Sequence, residues 1–412
     1  MAAPTVPVAS PLSVLPLVLA PFTIAALPKI LFGSGVLDQV VPEAARFGRR
    51  LLVVTGGRSL DEHGHWERLR AALTTGGFSW ERFRVEGEPS PELVDRAVAA
   101  FTGQGFDLVV AVGGGSVLDA GKAIAGLLPT GESVMAYLEG VGRGEIYQGP
   151  ALPLIAVPTT AGTGSEATKN AVLSRQGPDG FKKSFRDDRL VARVAIVDPD
   201  LLATCPRPLL AADAMDAFTQ LLESFTSTRA NPLTDALAWS GMVAFRQGFF
   251  PLWEDRETAF GRSALAYAAL LSGVCLAQTG LGAVHGMASP LGALFPLPHG
   301  VACGTLLAET TATNIAALRA RLPGSPALPK YASVGRLLTG KAGDDGEALE
   351  GLVATLRDWQ ERLELPLLSR FGVTRERLAP VVAESRGSSM KTNPLVLNDG
   401  EIEAILCRRL GE

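Results

Sequence analysis

Reactive and charged residues are sparse in this chain of 412 residues, which holds four cysteines, four histidines and only four more acids than bases. Cys205, Cys275, Cys303 and Cys407 stand far apart with no CxxC or CxC spacing. That excludes a zinc site of paired thiolates and argues against a disulfide framework, so a reducing cytoplasmic setting is expected. A net charge of -4 without basic runs excludes a surface built for a phosphate backbone. Nucleic acid is therefore not an expected partner, and a small molecule is. The first 28 residues contain no lysine or arginine, so the charged start of a secretory signal is missing. Six prolines there break any bilayer-spanning helix. Residues 1–21 read as a mobile tail, or as an edge segment lying on a neighbouring subunit, with no membrane contact.

What is present is the composition of a globular protein, 47% hydrophobic and 19% charged, with 45 glycines and 28 prolines spread through folded-looking text. The length predicts two domains. Up to about residue 207 short apolar runs alternate with amphipathic helical text: ILFGSGV at 30–36, RRLLVVTGG at 49–57, FSWERFRVEG, FDLVVAV at 106–112, LPLIAVP at 152–158 and VARVAIVDP at 191–199. Strands apolar throughout and separated by helices indicate a parallel sheet covered on both faces. After Pro206 and Pro208 no strand-like run stands out, and long helical stretches take over. The expectation is an α/β N-terminal dinucleotide-binding domain over 1–207 and an all-α C-terminal domain over 208–412.

Two loops carry phosphate-binding chemistry. VVAVGGGSVLDAGKAIAGLL joins a buried strand to a helix through Gly113, Gly114, Gly115 and Ser116. Glycines let a backbone approach a pyrophosphate, and the N–H groups opening the helix point at it. The next strand, LPLIAVP, runs into Thr159, Thr160, Ala161, Gly162, Thr163, Gly164 and Ser165. Both loops belong at the carboxyl edge of one sheet, where open α/β folds bind ligands.

Metal chemistry is suggested further on. Asp216 and Gln220 are four residues apart and share a helix face. His285 and His299 flank a segment broken by Pro290, Pro296 and Pro298, so they are expected on different helices, His299 at a helix start. His63 and His65 read as surface residues.

Five ordered stretches, GGGSVLDAGKAIA, PTTAGTGSEATKNAVLS, VAIVDPDLL, AMDAFTQLLESF and GAVHGMASPLGALFPLPHG, resemble the iron-containing (group III) alcohol dehydrogenases, relatives of glycerol dehydrogenase, maleylacetate reductase and dehydroquinate synthase. The resemblance runs from about Phe22 to the end. It implies interconversion of an alcohol and an aldehyde or ketone with NAD or NADP, a divalent metal (Fe2+ or Zn2+) between the domains, and a homodimer. Carried over residue by residue, it implies a cofactor site of Gly113, Gly114, Gly115, Ser116, Asp119, Thr159, Thr160, Thr163, Ser165 and Lys182, with Lys183 the neighbour that competes for the last place. It implies a metal set at Asp216, Gln220, His285 and His299.

This chain departs from that pattern in three places. Gln220 stands where many members have histidine, which predicts weaker metal binding, or an ion held by Asp216, His285, His299 and water. Ser289 stands where many have a histidine used in proton relay. Gly56 stands where NAD-preferring members carry an acid, and with Arg58 nearby this leans toward NADP. Competing readings are a metal-independent reductase of the maleylacetate type and a dehydroquinate synthase-like lyase. Lys391 in SSMKTNP is a candidate anchor for a charged substrate group, against a solvated helix end.

Overall fold

The computed structural model describes residues 19–177 and 180–411. Its strands are β1 (Lys29–Phe32), β2 (Arg50–Gly56), β3 (Ser79–Val85), β4 (Leu108–Gly113), β5 (Leu154–Pro158), β6 (Asn170–Arg175), β7 (Phe181–Arg186) and β8 (Val194–Val197). Six form one sheet in the order β1-β8-β5-β4-β2-β3, every pair parallel. Helices α1 (Val40–Ala44), α2 (Ser59–Glu62), α3 (His65–Thr75), α4 (Pro91–Phe101) and α5 (Gly115–Leu127) alternate with the strands.

The continuous apolar runs have the expected physical cause. Along β2, Leu51 and Val53 enter one core while Leu52 and Val54 enter another; β4 divides in the same way, with Leu108, Val110 and Val112 opposite Val109 and Ala111. Successive side chains of a strand face opposite ways, so a strand covered on both faces must be apolar at every position. Each fully buried Leu or Val contributes roughly 1.5–3 kcal/mol relative to exposure.

The strand order reverses at β2 and β4, since β2 continues to β3 on one side and β4 to β5 on the other. The crevice at that reversal lies beyond Gly56 and Gly113. A Cβ on either glycine would contact the Val117 side chain, at 3.7 and 2.5 Å, so both strand ends converge on the first turn of α5.

Sequence reasoning assigned no strands to the β6–β7 hairpin, which pairs antiparallel apart from the main sheet. Its Ala171, Leu173, Phe181 and Phe185 pack into the core on one face of that sheet. Polar residues interrupt both runs, which hides them as strands.

Past Pro199 the chain is helical: α6 (Arg207–Thr226), α7 (Pro232–Glu254), α8 (Ala259–Thr279), α9 (Ala283–Leu294), α10 (His299–Arg321), α11 (Ala327–Thr339), α12 (Asp345–Arg362), α13 (Leu378–Glu384) and α14 (Asp399–Cys407). By length and composition α8 is apolar enough to cross a bilayer. Leu265, Ala268 and Cys275 are instead fully buried in the core shared with α6 and α7, as expected of an interior helix. The expectation that Pro290 breaks its stretch is corrected: α9 runs through it, forgoing one backbone hydrogen bond, and only the Pro296–Pro298 region separates α9 from α10. Of the proposed tail, residues 1–18 lie outside the described residues. From Ala20 to Thr23 the chain lines a cavity together with Thr228–Pro232, and the Ala25 N–H donates to Gln278 Oε1 at 2.7 Å.

Candidate active site

The two glycine loops touch. A Cβ on Gly115 would sit 2.7 Å from Thr163 Oγ1, and one on Gly114 would sit 3.3 Å from Thr160. Helix α5 opens at Gly115 with no side chain capping it, which leaves its first N–H groups for an anion. Asp119, one turn in, ties the loops together. Its Oδ1 accepts from Ser165 Oγ at 2.5 Å and from the buried Lys122 Nζ at 3.0 Å, and its Oδ2 accepts from the Val172 N–H.

The second loop also grips the helical half. Gly164 has φ +59, and its Cα lies against Gly273 of α8; a Cβ on Gly273 would fall 2.0 Å from the Gly164 carbonyl oxygen. Only glycine on both sides permits that approach.

Beyond the loops, α6, α9 and α10 converge. His285, in the first turn of α9, lies between two carboxylates, with Nδ1 2.7 Å from Glu223 Oε2 and Nε2 3.1 Å from Asp216 Oδ1. His299 opens α10 directly after Pro298 and brings Nε2 to 3.8 Å from the same Asp216 oxygen. Cys303, one turn along α10, places Sγ 3.6 Å from His285 Nε2 and 3.8 Å from His299 Nε2. One donor atom from each of Asp216, His285, His299 and Cys303 lies within 4.8 Å of every other.

This donor set fits a cation. With Nδ1–H committed to Glu223, a neutral His285 aims the lone pair of Nε2 at a carboxylate oxygen, two acceptors face to face. Either a second ring proton or a metal ion must lie between them. Without an ion the ring takes the proton: burial opposes its charge, yet Cys303, Glu223 and Asp216 hold His285 well above its ordinary pKa. Burial likewise works against the Asp216 charge, but His299 and His285 draw its pKa down to about 2. Burial lowers His299 to about 4, which keeps that ring neutral and able to donate a lone pair. Its Nδ1 is buried without a partner among the described residues.

A cavity of about 430 Å³ runs from the α5 loop to this cluster, lined by Gly115, Ser116, Thr163 and Ser165 at one end and by Gln220, His285, Ser289 and His299 at the other. Matched against known proteins, residues 28–199 fit the model described as iron-containing alcohol dehydrogenase, and residues 210–410 fit the C-terminal model of the same family. The chain belongs to the iron-containing alcohol dehydrogenase family. The dehydrogenase is 31% identical over 383 residues to a 1,3-propanediol dehydrogenase of Klebsiella pneumoniae, which covers 91% of this chain and 95% of that one. It is 30% identical over 291 residues to the NAD-dependent methanol dehydrogenase of Bacillus methanolicus, covering 70% and 75%. Its fold matches the crystal structure of a 1,3-propanediol oxidoreductase with a TM-score of 0.85 and 28% identity, over 95% of this chain and all of that one. The dehydrogenase is thus an oxidoreductase acting between alcohols and aldehydes or ketones, with the α/β and all-helical parts of its family.

Of the residues singled out from the sequence, the dehydrogenase brings Gly115, Ser116, Asp119, Thr163, Ser165, Lys182, Lys183, Gln220, His285, Ser289 and His299 to the cavity wall. Asp216 lies behind the two histidines. Gly56, Gly113, Gly114, Thr159 and Thr160 do not line the cavity; Gly56 ends β2, and the other four belong to the two loops that reach it. Lys182 Nζ pairs with Glu88 at 2.9 Å, and Ser289 Oγ donates to the Lys182 carbonyl at 3.3 Å. Gln220 Oε1 accepts from Ser272 Oγ at 2.7 Å. Arg58 is exposed, and a Cβ on Gly57 would lie 3.7 Å from Glu86. Neither His63 nor His65 lines the cavity. Lys391 is exposed, and the segment reaches the cavity through Ser388 and Ser389 instead.

Two residues of the cluster escaped sequence reasoning. Glu223 lies seven residues after Asp216, two turns along the same face of α6, and accepts from the Gly282 and Val284 N–H groups at 2.9 and 2.7 Å as well as from His285. Cys303 lies four residues after His299. The helical spacing was the available signal in both cases.

Proposed function

We propose that this chain is a metal-dependent, NAD(P)-linked alcohol dehydrogenase or aldehyde reductase, dividing near residue 207 into a dinucleotide-binding domain and a helical domain that carries the metal. The observation that carries the reading is a cavity joining the uncapped start of α5 to a wall of His285 and His299 backed by Asp216. When bound, the nicotinamide supplies hydride transfer, and a divalent ion supplies polarisation of the alcohol or carbonyl oxygen.

The chain's own groups do the rest. Gly115 and Ser116 meet the diphosphate with backbone N–H groups, and Gly113 and Gly114 leave room for it. Thr159, Thr160, Thr163 and Ser165 attend the adenine and ribose side. Lys182, steered by Glu88, points its charge at the nicotinamide end. Asp216, His285 and His299 hold the ion, Gln220 lies beside them, and Glu223 keeps the His285 ring in the tautomer that presents Nε2. Ser289, hydroxyl toward the cavity, passes a proton between substrate and water.

For the dinucleotide we favour NADP: Gly56 and Gly57 place no acid at the end of β2, and Arg58 is free to meet a 2′-phosphate, with Glu86 across from it as the group that opposes one. The setting is cytoplasmic. The assembly is a homodimer through the sheet edge at β1, where Ile30, Phe32, Phe22 and Leu27 leave apolar surface exposed.

The test is to purify the protein without added metal, measure iron and zinc, and assay aldehyde reduction with NADPH and NADH before and after chelation. About one ion per chain, with activity lost on chelation and restored by metal, is expected. Full activity without metal would overturn the reading in favour of a maleylacetate-type reductase.

A further inference from the structure

The family position occupied by Gln220 has lost its imidazole, and the amide that replaces it is engaged elsewhere. Gln220 Oε1, the atom able to bind a cation, lies 2.7 Å from Ser272 Oγ, whose single proton it shares with the Ala269 carbonyl oxygen at 2.8 Å. Its other group, the NH2, has no lone pair to offer. From the opposite side of the cluster a thiol reaches in.

We propose that Cys303, and not Gln220, supplies the fourth protein donor of the metal site, as a thiolate, and that the site therefore selects zinc over iron. The inference rests on the reading that this cluster holds a divalent ion. Geometry supports it. For bonds of about 2.0–2.3 Å to oxygen, nitrogen and sulfur, the edges of a tetrahedron around one ion are about 1.6 times as long, or roughly 3.3–3.7 Å. The donor separations are 3.1 Å from Asp216 Oδ1 to His285 Nε2, 3.8 Å from Asp216 Oδ1 to His299 Nε2, 3.6 Å from Cys303 Sγ to His285 Nε2 and 3.8 Å from Cys303 Sγ to His299 Nε2. These four of the six edges lie within about 0.2 Å of that range with the side chains where they stand, and the other two, Asp216–Cys303 and His285–His299, are no longer than 4.8 Å.

The position of Cys303 also leaves the site usable. Gln220, His285 and His299 line the cavity, whereas Asp216 and Cys303 do not. A thiolate from behind leaves the cavity side beside Gln220 clear of protein donors, so a substrate oxygen would enter there as a fifth ligand, expanding the four-coordinate site. Sulfur is a soft donor that suits zinc, and binding releases the thiol proton to solvent.

The probe is cobalt(II), titrated into the full-length protein after its metal has been stripped by chelation, for the wild type and for Cys303→Ser, Cys303→Ala and Gln220→Ala. Circular dichroism and dinucleotide binding serve as folding controls. The wild type is expected to bind one cobalt per chain with a near-ultraviolet thiolate-to-cobalt charge-transfer band. Gln220→Ala retains the band. Both Cys303 variants lose it, and in chelator competition their zinc affinity falls by more than the roughly 10–100-fold typical of losing a supporting group behind a ligand. Cobalt bound without that band, or a Gln220→Ala variant that loses metal while the Cys303 variants keep it, overturns the thiolate assignment and leaves the metal reading standing. A wild type that binds no cobalt or zinc overturns both.

Discussion

Replacing Glu223 by Gln separates two roles of one carboxylate. Glu223 projects from α6 and accepts three bonds at the start of α9: from the Gly282 N–H (2.9 Å), from the Val284 N–H (2.7 Å) and from His285 Nδ1 (2.7 Å). It thus caps a neighbouring helix and fixes a metal ligand at once, while Asn393 Oδ1 takes the remaining Ala283 N–H. Glutamine keeps the shape but brings one acceptor and one NH2 group. If its oxygen faces Gly282 and His285, the NH2 faces the Val284 N–H, two donors meeting in a buried site. An orphaned buried donor costs about 1–3 kcal/mol, and losing a negative charge at a helix N-terminus costs about 0.3–2 kcal/mol more. The expected destabilisation is about 2–4 kcal/mol, read from urea denaturation of metal-free protein. Metal affinity, read by chelator competition, should fall roughly 10–100-fold because His285 loses its charged partner. Reduced stability with unchanged metal affinity would make Glu223 a helix cap and nothing more. No change in either would refute the reasoning.

Three further outcomes are expected. Gly273→Ala places a methyl 2.0 Å from the Gly164 carbonyl oxygen; overpacking of this kind costs about 1–3 kcal/mol, and the displaced Thr163–Ser165 loop should raise the KM for the dinucleotide, whereas a variant with native midpoint and KM would show that the contact yields freely. Burial lifts the pKa of Glu166 from 4.5 to about 7, so the native state holds a proton that the unfolded chain releases earlier. Its contribution to stability is complete below pH 4.5 and lost as pH rises through 7, worth at most about 3 kcal/mol; Glu166→Gln should flatten the urea midpoint across that window, and an unaltered slope would count against it. Arg58→Ala should weaken NADPH about 10-fold while sparing NADH, and Glu86→Gln should do the reverse to their ratio, with equal effects on both dinucleotides excluding Arg58 as a 2′-phosphate contact.

The α/β half was legible because its physics is local. A strand buried on both faces cannot hide polar residues, so Leu51–Val54, Leu108–Val112 and Ile155–Val157 announce themselves as apolar runs, and the glycines that follow them mark the turns. The β6–β7 hairpin failed that test for an equally local reason: Lys182, Lys183 and Ser184 of β7 all line the cavity, and a strand beside a polar site lacks the continuous apolar run by which the others are recognised. Pro290 misled because a helix held on both sides by tertiary packing tolerates the loss of one hydrogen bond.

The metal cluster was legible only in part, since its chemistry depends on three helices meeting. Asp216, His285 and His299 stand out because buried carboxylates and histidines are rare in apolar text. Cys303 does not, since a cysteine in VACGTLL is what a small apolar core position looks like. Its significance comes from position: one turn beyond His299, it is carried to 3.6 Å from a histidine on another helix. Gln220 shows the converse. Its spacing from Asp216 invites a ligand role, and only the fold reveals that its amide oxygen lies 2.7 Å from the Ser272 hydroxyl of α8. Spacing along one helix nominates donors, but which of them face an ion is decided by the neighbouring helices, and here those neighbours disengage Gln220 and bring in a thiol from behind.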